Sequence, residues 1–332
     1  MAKKSYDWDG GAPLEDHTRK KHSILRDYFR EYLITRCQLP QQEKFRLAIV
    51  DGFSGGGLYR CGSYGSPLIF VEVLINTANE INLRRLAEGM RPIQIECLLI
   101  LNDESEAVTQ QLKQNLAPLL VSIKEAENLY VETEYLSGKF EAIYPQIKAR
   151  LFSAKCGNVL FNLDQCGYSH VKSSTIRDIV GSWRSAEVLL TFMIGALVAY
   201  LSPNKEISGV PLEPEMQSAI DCLLENGDNL LNKPEWLGRA EKIAYAQYSG
   251  CATYVSPFSI NNPSGWRYWL MHFSNAHRAR QVYNNILHQG GAAQAHFGRS
   301  GLNMLAYNPQ EEGQLYLFDN DSRQLAKEAL HD

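Results

Sequence analysis

A glycine-rich turn is the segment of this sequence best suited to hold a small ligand. It reads D-G-F-S-G-G-G from Asp51 to Gly57 and follows the short apolar run from Leu47 to Val50. Glycines allow the main chain to come within contact distance of a ligand and to adopt φ values that other residues disfavour. The turn has neither the lysine of a triphosphate-binding loop nor the glycine spacing of a dinucleotide fingerprint. We therefore expect a ligand with an ammonium and a carboxylate, held by Asp51 and by the N–H groups of the turn.

A second acidic segment, Asn102-Asp103-Glu104, follows the next apolar run. A carboxylate there could accept hydrogen bonds from both hydroxyls of a ribose, each worth about 1.5–3 kcal/mol to a charged group. Glu134 and Phe140 follow a third predicted strand and are candidates for the edge and face of an adenine ring. These features predict an S-adenosylmethionine (SAM) site, with a glycine turn that binds nothing as the alternative. The predicted cofactor-binding residues are Asp51, Phe53, Ser54, Gly55, Gly57, Asp103 and Glu104.

The end of a fourth apolar run supplies the candidate catalytic residues. Asp164 follows this run and could accept a proton or a hydrogen bond from an acceptor hydroxyl or amine. Tyr168 could stack on a planar substrate and position it. In the alternative interpretation Asp164 caps the following turn and Tyr168 packs against a helix. Cys166 suggests a third chemistry, thiolate attack on a pyrimidine ring, but the residue before it is Gln165 and not the proline usual at such sites.

Apolar runs alternate with amphipathic segments along most of the chain. This alternation predicts a parallel sheet covered by helices on both faces. The predicted helices cover residues 14–37, 66 to about 88, 104–120, 140–151, 173–180 and 275–288. The predicted strands cover residues 47–50, 94–101, 129–133, 158–163, 187–193, 252–260 and 266–273, with a hairpin at 301–307 and 314–318.

Composition indicates a protein with a large buried core. Of the 332 residues, 45% are hydrophobic and 21% are charged. The longest apolar stretch, residues 188–201, is too short to span a bilayer, and the first ten residues lack the apolar region of a secretion signal. The seven cysteines are scattered, with no C-x-x-C pair, so we predict free thiols and no metal site. We therefore expect a cytoplasmic protein.

The charge distribution is uneven although the net charge is only −4. No Asp or Glu occurs from Lys242 to Gln310, which suggests a surface that must not repel an anion. We predict nucleic-acid contacts by Arg278, Arg280 and Arg299. The first predicted helix is also basic, and its face either lies in solvent or covers the SAM site and meets a substrate phosphate. Trp269 and His272 lie on a later strand, where core packing and base stacking are both possible.

At these residues the sequence resembles the three-Cys-motif partner protein (TcmP) family, a group of bacterial methyltransferase-like proteins. The matching segments span residues 14 to about 290. They are His17-Thr18, Lys21-His22-Ser23-Ile24-Leu25, the turn from Asp51 to Gly57, Gly65-Ser66-Pro67-Leu68-Ile69, Leu163-Asp164, and the strand from Trp266 to Asn275. The resemblance implies a SAM-methyltransferase-like core, a winged-helix segment near the carboxyl end, and a partner protein with three clustered cysteines. The family's strand tip resembles Asp-Pro-aromatic-Gly, whereas this chain has Gln165 and Cys166, which weakens an amino-methylating mechanism.

Together these features predict a class I methyltransferase-like Rossmann fold with an N-terminal helix, a helical insertion and a winged-helix-like carboxyl-terminal segment. The predicted boundaries are 1–45 for the N-terminal extension, 46–201 for the core, 202–250 for the insertion, 251–274 for the completing strands and 275–332 for the carboxyl-terminal segment. The expected function is SAM-dependent methyl transfer by a protein that acts on or binds nucleic acid. The alternative is an inactive SAM- or nucleotide-binding sensor or interaction module of a bacterial defence or mobile-element system.

Overall fold

The computed structural model describes Trp8 and residues 11–165, 170–194, 233–261, 267–289 and 295–296. Strands and helices alternate over the first two thirds of the chain, as the apolar runs predict. The strands are β1 (Lys44–Asp51), β2 (Gln94–Asp103), β3 (Leu129–Ser137), β4 (Asn158–Leu163), β5 (Ser185–Phe192), β6 (Tyr254–Asn261), β7 (Arg267–Ser274) and β8 (Ala295–His296). The helices are α1 (Asp16–Arg36), α2 (Ser66–Ala87), α3 (Glu106–Glu125), α4 (Phe140–Ser153), α5 (Ser173–Ser182), α6 (Lys233–Ser249) and α7 (His277–Gln289).

The described strands form one sheet in the order β3-β2-β1-β4-β5-β7-β6-β8. Strands β1 to β5 are parallel, and β7 runs antiparallel between β5 and β6. The order of the first five strands is that of a Rossmann fold, in which the direction of strand addition reverses between β1 and β4. The predicted class I methyltransferase-like Rossmann fold is confirmed.

Both faces of the sheet are covered, which explains why its central strands are almost wholly apolar. One core forms where α1, α2, α3 and α7 pack on the sheet, and the other where α4, α5 and α6 pack on the opposite face. In β1 every residue from Leu47 to Asp51 is buried. The last of these buried residues is a carboxylic acid, so the core leads directly to the edge where ligands of such sheets bind.

Helix α1 is fixed over the sheet by a buried polar cluster. The Tyr28 hydroxyl donates to Glu187 of β5 and lies 2.9 Å from His272 Nε2 of β7. The His272 ring also stacks on Tyr283 of α7. Because His272 and Trp269 are both fully buried, they belong to the core and are not available for base stacking. This cluster sets the position of α1, which carries several basic residues toward the candidate site.

The structure differs from the predicted elements chiefly at β3. This strand continues to Ser137, pairing in register with β2 as far as Asp103, and so extends beyond the predicted end at residue 133. The predicted hairpin at 301–318 and residues 202–232 of the predicted insertion lie outside the described residues. In the part of the chain that is described, no helix is both long and apolar enough to cross a membrane.

Candidate functional site

The candidate site lies at the carboxyl edge of the sheet, where the strand order reverses. Asp51 ends β1, and the Gly52 N–H donates to the Asn162 carbonyl of β4 at 2.9 Å. Asp164 follows β4 directly. Two acids that are far apart in sequence therefore reach the same edge, and the negative charge of Asp164 is close enough to raise the pKa of Asp51.

Asp51 is fully buried, and burial raises its pKa from 3.8 to about 7. Ser66 and Asn162 lie beside the carboxyl group and partly oppose this rise. The Phe53 N–H approaches Oδ1 at 3.4 Å, but Oδ2 has no hydrogen bond of normal geometry within the described structure. A buried carboxylate oxygen without a donor is energetically costly and fits a ligand that brings a cation or a proton.

The glycine turn is held by hydrogen bonds from its own main chain and side chains. Ser54 donates its N–H to the Asn102 carbonyl at 2.8 Å and its hydroxyl to the Asp51 carbonyl at 3.1 Å. The Asn102 side chain donates to the carbonyls of Gly52 and Gly138, at 3.0 Å each. Ser54 thus stabilises the turn, and its hydroxyl is committed to that contact.

Asp103 faces the turn as the sequence predicts. Its Oδ2 accepts the Gly55 N–H at 3.1 Å and its Oδ1 accepts the Ser105 N–H at 2.9 Å. Burial raises the pKa of this half-buried carboxyl group, and these two donors act against the rise. Glu104 is exposed and lies 3.9 Å from Lys139, so of the two predicted acids only Asp103 contacts the glycine turn.

The indole of Trp8 covers the glycine turn. A Cβ atom on Gly55 would lie 2.4 Å from the Trp8 ring, and one on Gly56 would lie 2.8 Å from it. The Trp8 carbonyl accepts from Gln111 of α3 at 2.9 Å and from the Gly11 N–H at 2.9 Å. The absence of side chains at these two glycines is therefore explained at least in part by the chain's own tryptophan.

Gly57 has a different structural reason for being glycine. Its φ is +78°, and a Cβ there would lie 2.5 Å from Leu112 and 2.6 Å from Leu68. These leucines belong to α3 and α2, so Gly57 allows the two helices to pack against the turn. Because internal contacts explain each of these glycines, the ligand-free interpretation of the turn stays open.

Phe53 and Phe140 form an apolar wall beside the turn. Their ring centroids are 5.8 Å apart, and Phe53 also meets His170 edge-on at 6.3 Å. The expectation that Glu134 follows β3 is wrong, since this residue lies within the strand and pairs with Arg150 of α4. The longer β3 therefore places Glu134 before the carboxyl edge, away from the position predicted for an adenine contact.

Asp164 is paired with Lys21 of α1. The Lys21 ammonium donates to both carboxylate oxygens, at 2.5 Å to Oδ1 and 2.7 Å to Oδ2. Burial alone would raise the pKa of Asp164, but Lys21, together with Thr191 and His22, lowers it below its usual value. The carboxylate keeps about 26% of its surface exposed, while Lys21 keeps 11%.

A small cavity of about 20 Å³ lies at this ion pair, between α1 and the sheet. Lys21, His22, Ser66, Asn162, Asp164 and Thr191 contribute its polar lining. Burial lowers the pKa of His22 to about 4, and the Lys21 cation contributes to this lowering, so the imidazole is neutral at pH 7. A cavity of this volume holds about one water molecule or one functional group of a ligand.

Gln165, which follows Asp164 at the tip of β4, has a structural role. Its Oε1 accepts the N–H groups of His170 and Val171, at 2.9 and 3.1 Å. Its Nε2 is buried without a hydrogen-bond partner among the described residues. Tyr168 and Cys166, between these points, lie outside the described residues.

The predicted basic surfaces differ in how far acids compensate them. On α1, Arg26 pairs with Glu72 and Arg30 with Glu80, both on α2. Arg26 and Arg30 thus bind this helix to α2, and Lys21 binds it to Asp164. On α7, Arg278 and Arg280 are exposed, and Arg280 lies over the Tyr254 ring at 5.6 Å. Arg299 lies outside the described residues.

Two contributions to the site were not predicted from the sequence. Lys21 was recognised only as part of a basic helix face, and its partner Asp164 is 143 positions away. Trp8 lies in a short polar segment that carries no periodic signal. The described residues contain no cluster of His, Cys, Asp or Glu able to hold a metal ion.

Comparison with known proteins gives limited information. No protein-family model matches the chain, and no curated protein matches it. Among solved structures, the chain is similar to a candidate O-methyltransferase from Klebsiella pneumoniae, with 9% identity, a TM-score of 0.33, and coverage of 80% of this chain and 92% of that chain. A similarity of this size says nothing about activity, and the fold assignment rests on the strand order.

Proposed function

We propose that this chain is a SAM-dependent methyltransferase-like protein of the three-Cys-motif partner type that acts on or binds nucleic acid. The observation that carries the proposal is the position of Asp51, the glycine turn and Asp103 at the edge where the strand order reverses. Open α/β sheets bind their ligands at this point. The proposal therefore rests on the placement of three features whose chemistry suits the parts of one ligand.

The donors and acceptors at this edge fit SAM. Oδ2 of Asp51, for which the described residues supply no donor of normal geometry, suits the ammonium of the methionine end, because a cation would satisfy a buried carboxylate. Asp103 uses one lone pair of each oxygen for an N–H group and keeps others for ribose hydroxyls. When bound, SAM supplies an activated methyl group, so the protein's own residues would act mainly by positioning the acceptor.

The Trp8 indole restricts how a ligand can reach the glycine turn. A ligand that approached the main chain of Gly55 and Gly56 from the side of Trp8 would have to displace the ring. This cover favours a second candidate function, a sensor or interaction module in which the pocket is kept without methyl transfer. The two candidates make different predictions once SAM binding and label transfer are measured separately.

Calorimetric titration with SAM tests the cofactor site. We expect binding accompanied by proton release near pH 7, because a ligand ammonium lowers the raised pKa of Asp51. The released protons are counted by repeating the titration in buffers of different ionisation enthalpy. Replacing Asp103 by alanine should weaken binding by about 100-fold or more, since it removes two hydrogen bonds to the ribose, each worth about 1.5–3 kcal/mol.

The matched control is Glu104→Ala, which removes the neighbouring exposed acid. This variant should bind SAM like the unaltered chain. A flat titration trace from the folded, unaltered protein would contradict the proposed cofactor. SAM binding without transfer of a labelled methyl group to any acceptor would instead favour the sensor.

The nucleic-acid part of the proposal is supported by charge. No acid occurs from Lys242 to Gln310, and the two described arginines of α7 in this segment are exposed. Such a surface attracts phosphates without local repulsion. A partner with three clustered cysteines remains part of the proposal through the resemblance alone, and co-purification with such a protein tests it.

A further inference from the structure

We propose that Lys21 and Asp164 form a catalytic pair and that the group methylated at this site is a hydroxyl and not an amine. The inference rests on the proposed function and names its acceptor class. Lys21 and Asp164 line the cavity of about 20 Å³ at the carboxyl edge, and the charge of Asp164 acts on the buried Asp51. The hydrogen bonds already made around the cavity decide which donors and acceptors are left for the group that receives the methyl.

The cavity presents hydrogen-bond donors to a substrate group. A lysine ammonium has three N–H donors, and Lys21 uses two of them on the oxygens of Asp164. Among the described residues the third has no acceptor, and it is available to an oxygen placed in the cavity. Asn162 lines the same cavity; its Nδ2 lies beside the Asp51 carboxyl but is buried without a hydrogen bond of normal geometry among the described residues. An oxygen acceptor has lone pairs to receive both groups.

An amine would fit the same cavity less well than a hydroxyl. Its two N–H groups need acceptors, and each oxygen of Asp164 already uses one lone pair to accept from Lys21. The Oε1 of the following residue, Gln165, is occupied by the N–H groups of His170 and Val171. An attacking amine also gains positive charge, which the adjacent Lys21 ammonium would repel.

The reaction assigned to the pair balances as follows. The acceptor oxygen uses a lone pair to form the new carbon–oxygen bond, while the methyl carbon–sulfur bond breaks and its electron pair stays on sulfur. The hydroxyl proton passes to the Asp164 carboxylate and then to solvent, which Asp164 reaches through its exposed 26%. The Lys21 ammonium stabilises the negative charge that builds up on oxygen as the proton leaves.

The test compares Lys21→Met with Arg19→Met, an exposed control on the same helix. The full chain is incubated with methyl-labelled SAM and with the RNA, DNA, protein and small-molecule fractions of a cell extract. Mass spectrometry then identifies the methylated atom. We expect O-methyl products, a loss of about 100-fold or more in Lys21→Met, and no loss in Arg19→Met. SAM affinity, measured by calorimetry, should be the same in both variants.

A second readout does not depend on activity. In Lys21→Met the pKa of His22, followed by proton NMR, should rise from about 4, because the neighbouring cation is removed. An unchanged pKa would show that Lys21 does not occupy the cavity and would overturn the proposal. Lys21→Arg keeps a cation and its donors, so it should recover part of the lost activity.

The remaining outcomes separate this inference from the proposed function. An N-methyl or C-methyl product overturns the hydroxyl acceptor and leaves the methyltransferase standing. SAM binding without transfer to any fraction contradicts both the transferase and the catalytic pair. If the folded protein fails to bind SAM, the proposed function itself fails at the cofactor.

Discussion

At the scale of single residues, the buried polar groups of the site differ in whether they have hydrogen-bond partners. Asp51 has a carboxylate oxygen with no hydrogen-bond donor in the part of the chain that the structure describes, whereas Asp164 has both oxygens paired with Lys21. Burial acts to raise the pKa of both acids, but Lys21 and its neighbours reverse this effect at Asp164, so the pKa of Asp51 rises while that of Asp164 falls. Such separation of pKa values is common where two acids take different roles.

Asp51 should make the stability of the ligand-free protein depend on pH. Its pKa rises from 3.8 to about 7 on folding, so between these values the folded protein holds a proton that the unfolded chain has lost. Stability from this group is complete below the unfolded pKa and falls as pH rises toward 7. Asp51→Asn should therefore gain stability over the unaltered chain, by up to about 4 kcal/mol, across this interval.

Urea unfolding at a series of pH values measures this difference. Asp16→Asn, which changes an exposed acid of α1, is the control and should show no comparable gain. Parallel stability curves for Asp51→Asn and the unaltered protein would mean that the pKa of Asp51 is not raised.

At the scale of elements, the glycine turn serves as a packing junction between helices. Gly57 separates Leu68 of α2 from Leu112 of α3, and the Trp8 ring lies on Gly55 and Gly56. Helix α1 reaches across the sheet to place Lys21 at the tip of β4. The turn that suits a ligand is therefore also the point at which α2, α3 and the Trp8 ring pack together.

Comparing the stability of Gly57→Ala with that of Gly62→Ala distinguishes the cost of backbone strain from the cost of steric overlap. Both glycines have φ of +78°, but a Cβ on Gly62 would meet no described residue within 4 Å. Gly62→Ala should cost about 1–2 kcal/mol of unfolding free energy from the left-handed conformation alone. Gly57→Ala should cost about 1–3 kcal/mol more, because its Cβ overlaps the two leucines. Equal decreases in urea unfolding would show that the helices can move apart freely.

Trp8→Ala tests whether the indole competes with a ligand. If SAM binds against Gly55 and Gly56, removing the ring should strengthen binding by about 10-fold, equivalent to about 1.4 kcal/mol. Calorimetry gives the affinity, and Trp8→Phe, which keeps a smaller ring, should lie between the two. Weaker binding in Trp8→Ala would instead make the indole part of the ligand site.

At the scale of the whole molecule, the basic residues of α1 and those of α7 have different roles. Three basic residues of α1, Lys21, Arg26 and Arg30, pair with Asp164 and with acids of α2, so they help to hold the fold together. The arginines of α7 lie in the acid-free part of the sequence and are exposed. Of these two basic surfaces, α7 is therefore the one suited to phosphate contacts.

Nucleic-acid binding should accordingly depend on salt and on α7. Replacing Arg278 or Arg280 by alanine should weaken binding, and the slope of log affinity against log salt should fall by about 1 for each phosphate that the variant no longer neutralises. Lys124→Ala, at the exposed end of α3, is the control and should leave the slope unchanged. Fluorescence anisotropy with labelled RNA and DNA over a salt series provides the measurement. A slope that none of these variants alters would place the nucleic-acid site elsewhere.

The sequence by itself determined the order of the elements and the residues at the strand ends. The apolar runs predict β1, β2, β4 and β5 because doubly covered strands are almost wholly apolar. Strand ends then identify Asp51, Asp103 and Asp164 as residues of one edge. The predicted end of β3 falls four residues short, because the second half of this edge strand is only partly buried and its polar residues resemble a loop.

Only the tertiary structure decided which groups meet at that edge. The Lys21–Asp164 pair depends on the rotation of α1 against the sheet, which the buried contacts of Tyr28 with Glu187 and His272 fix. Similarly, the contact of Trp8 with the glycine turn depends on a chain path without periodic pattern. Local sequence patterns record what each segment buries, whereas contacts between distant segments depend on how the segments pack, which no local pattern encodes.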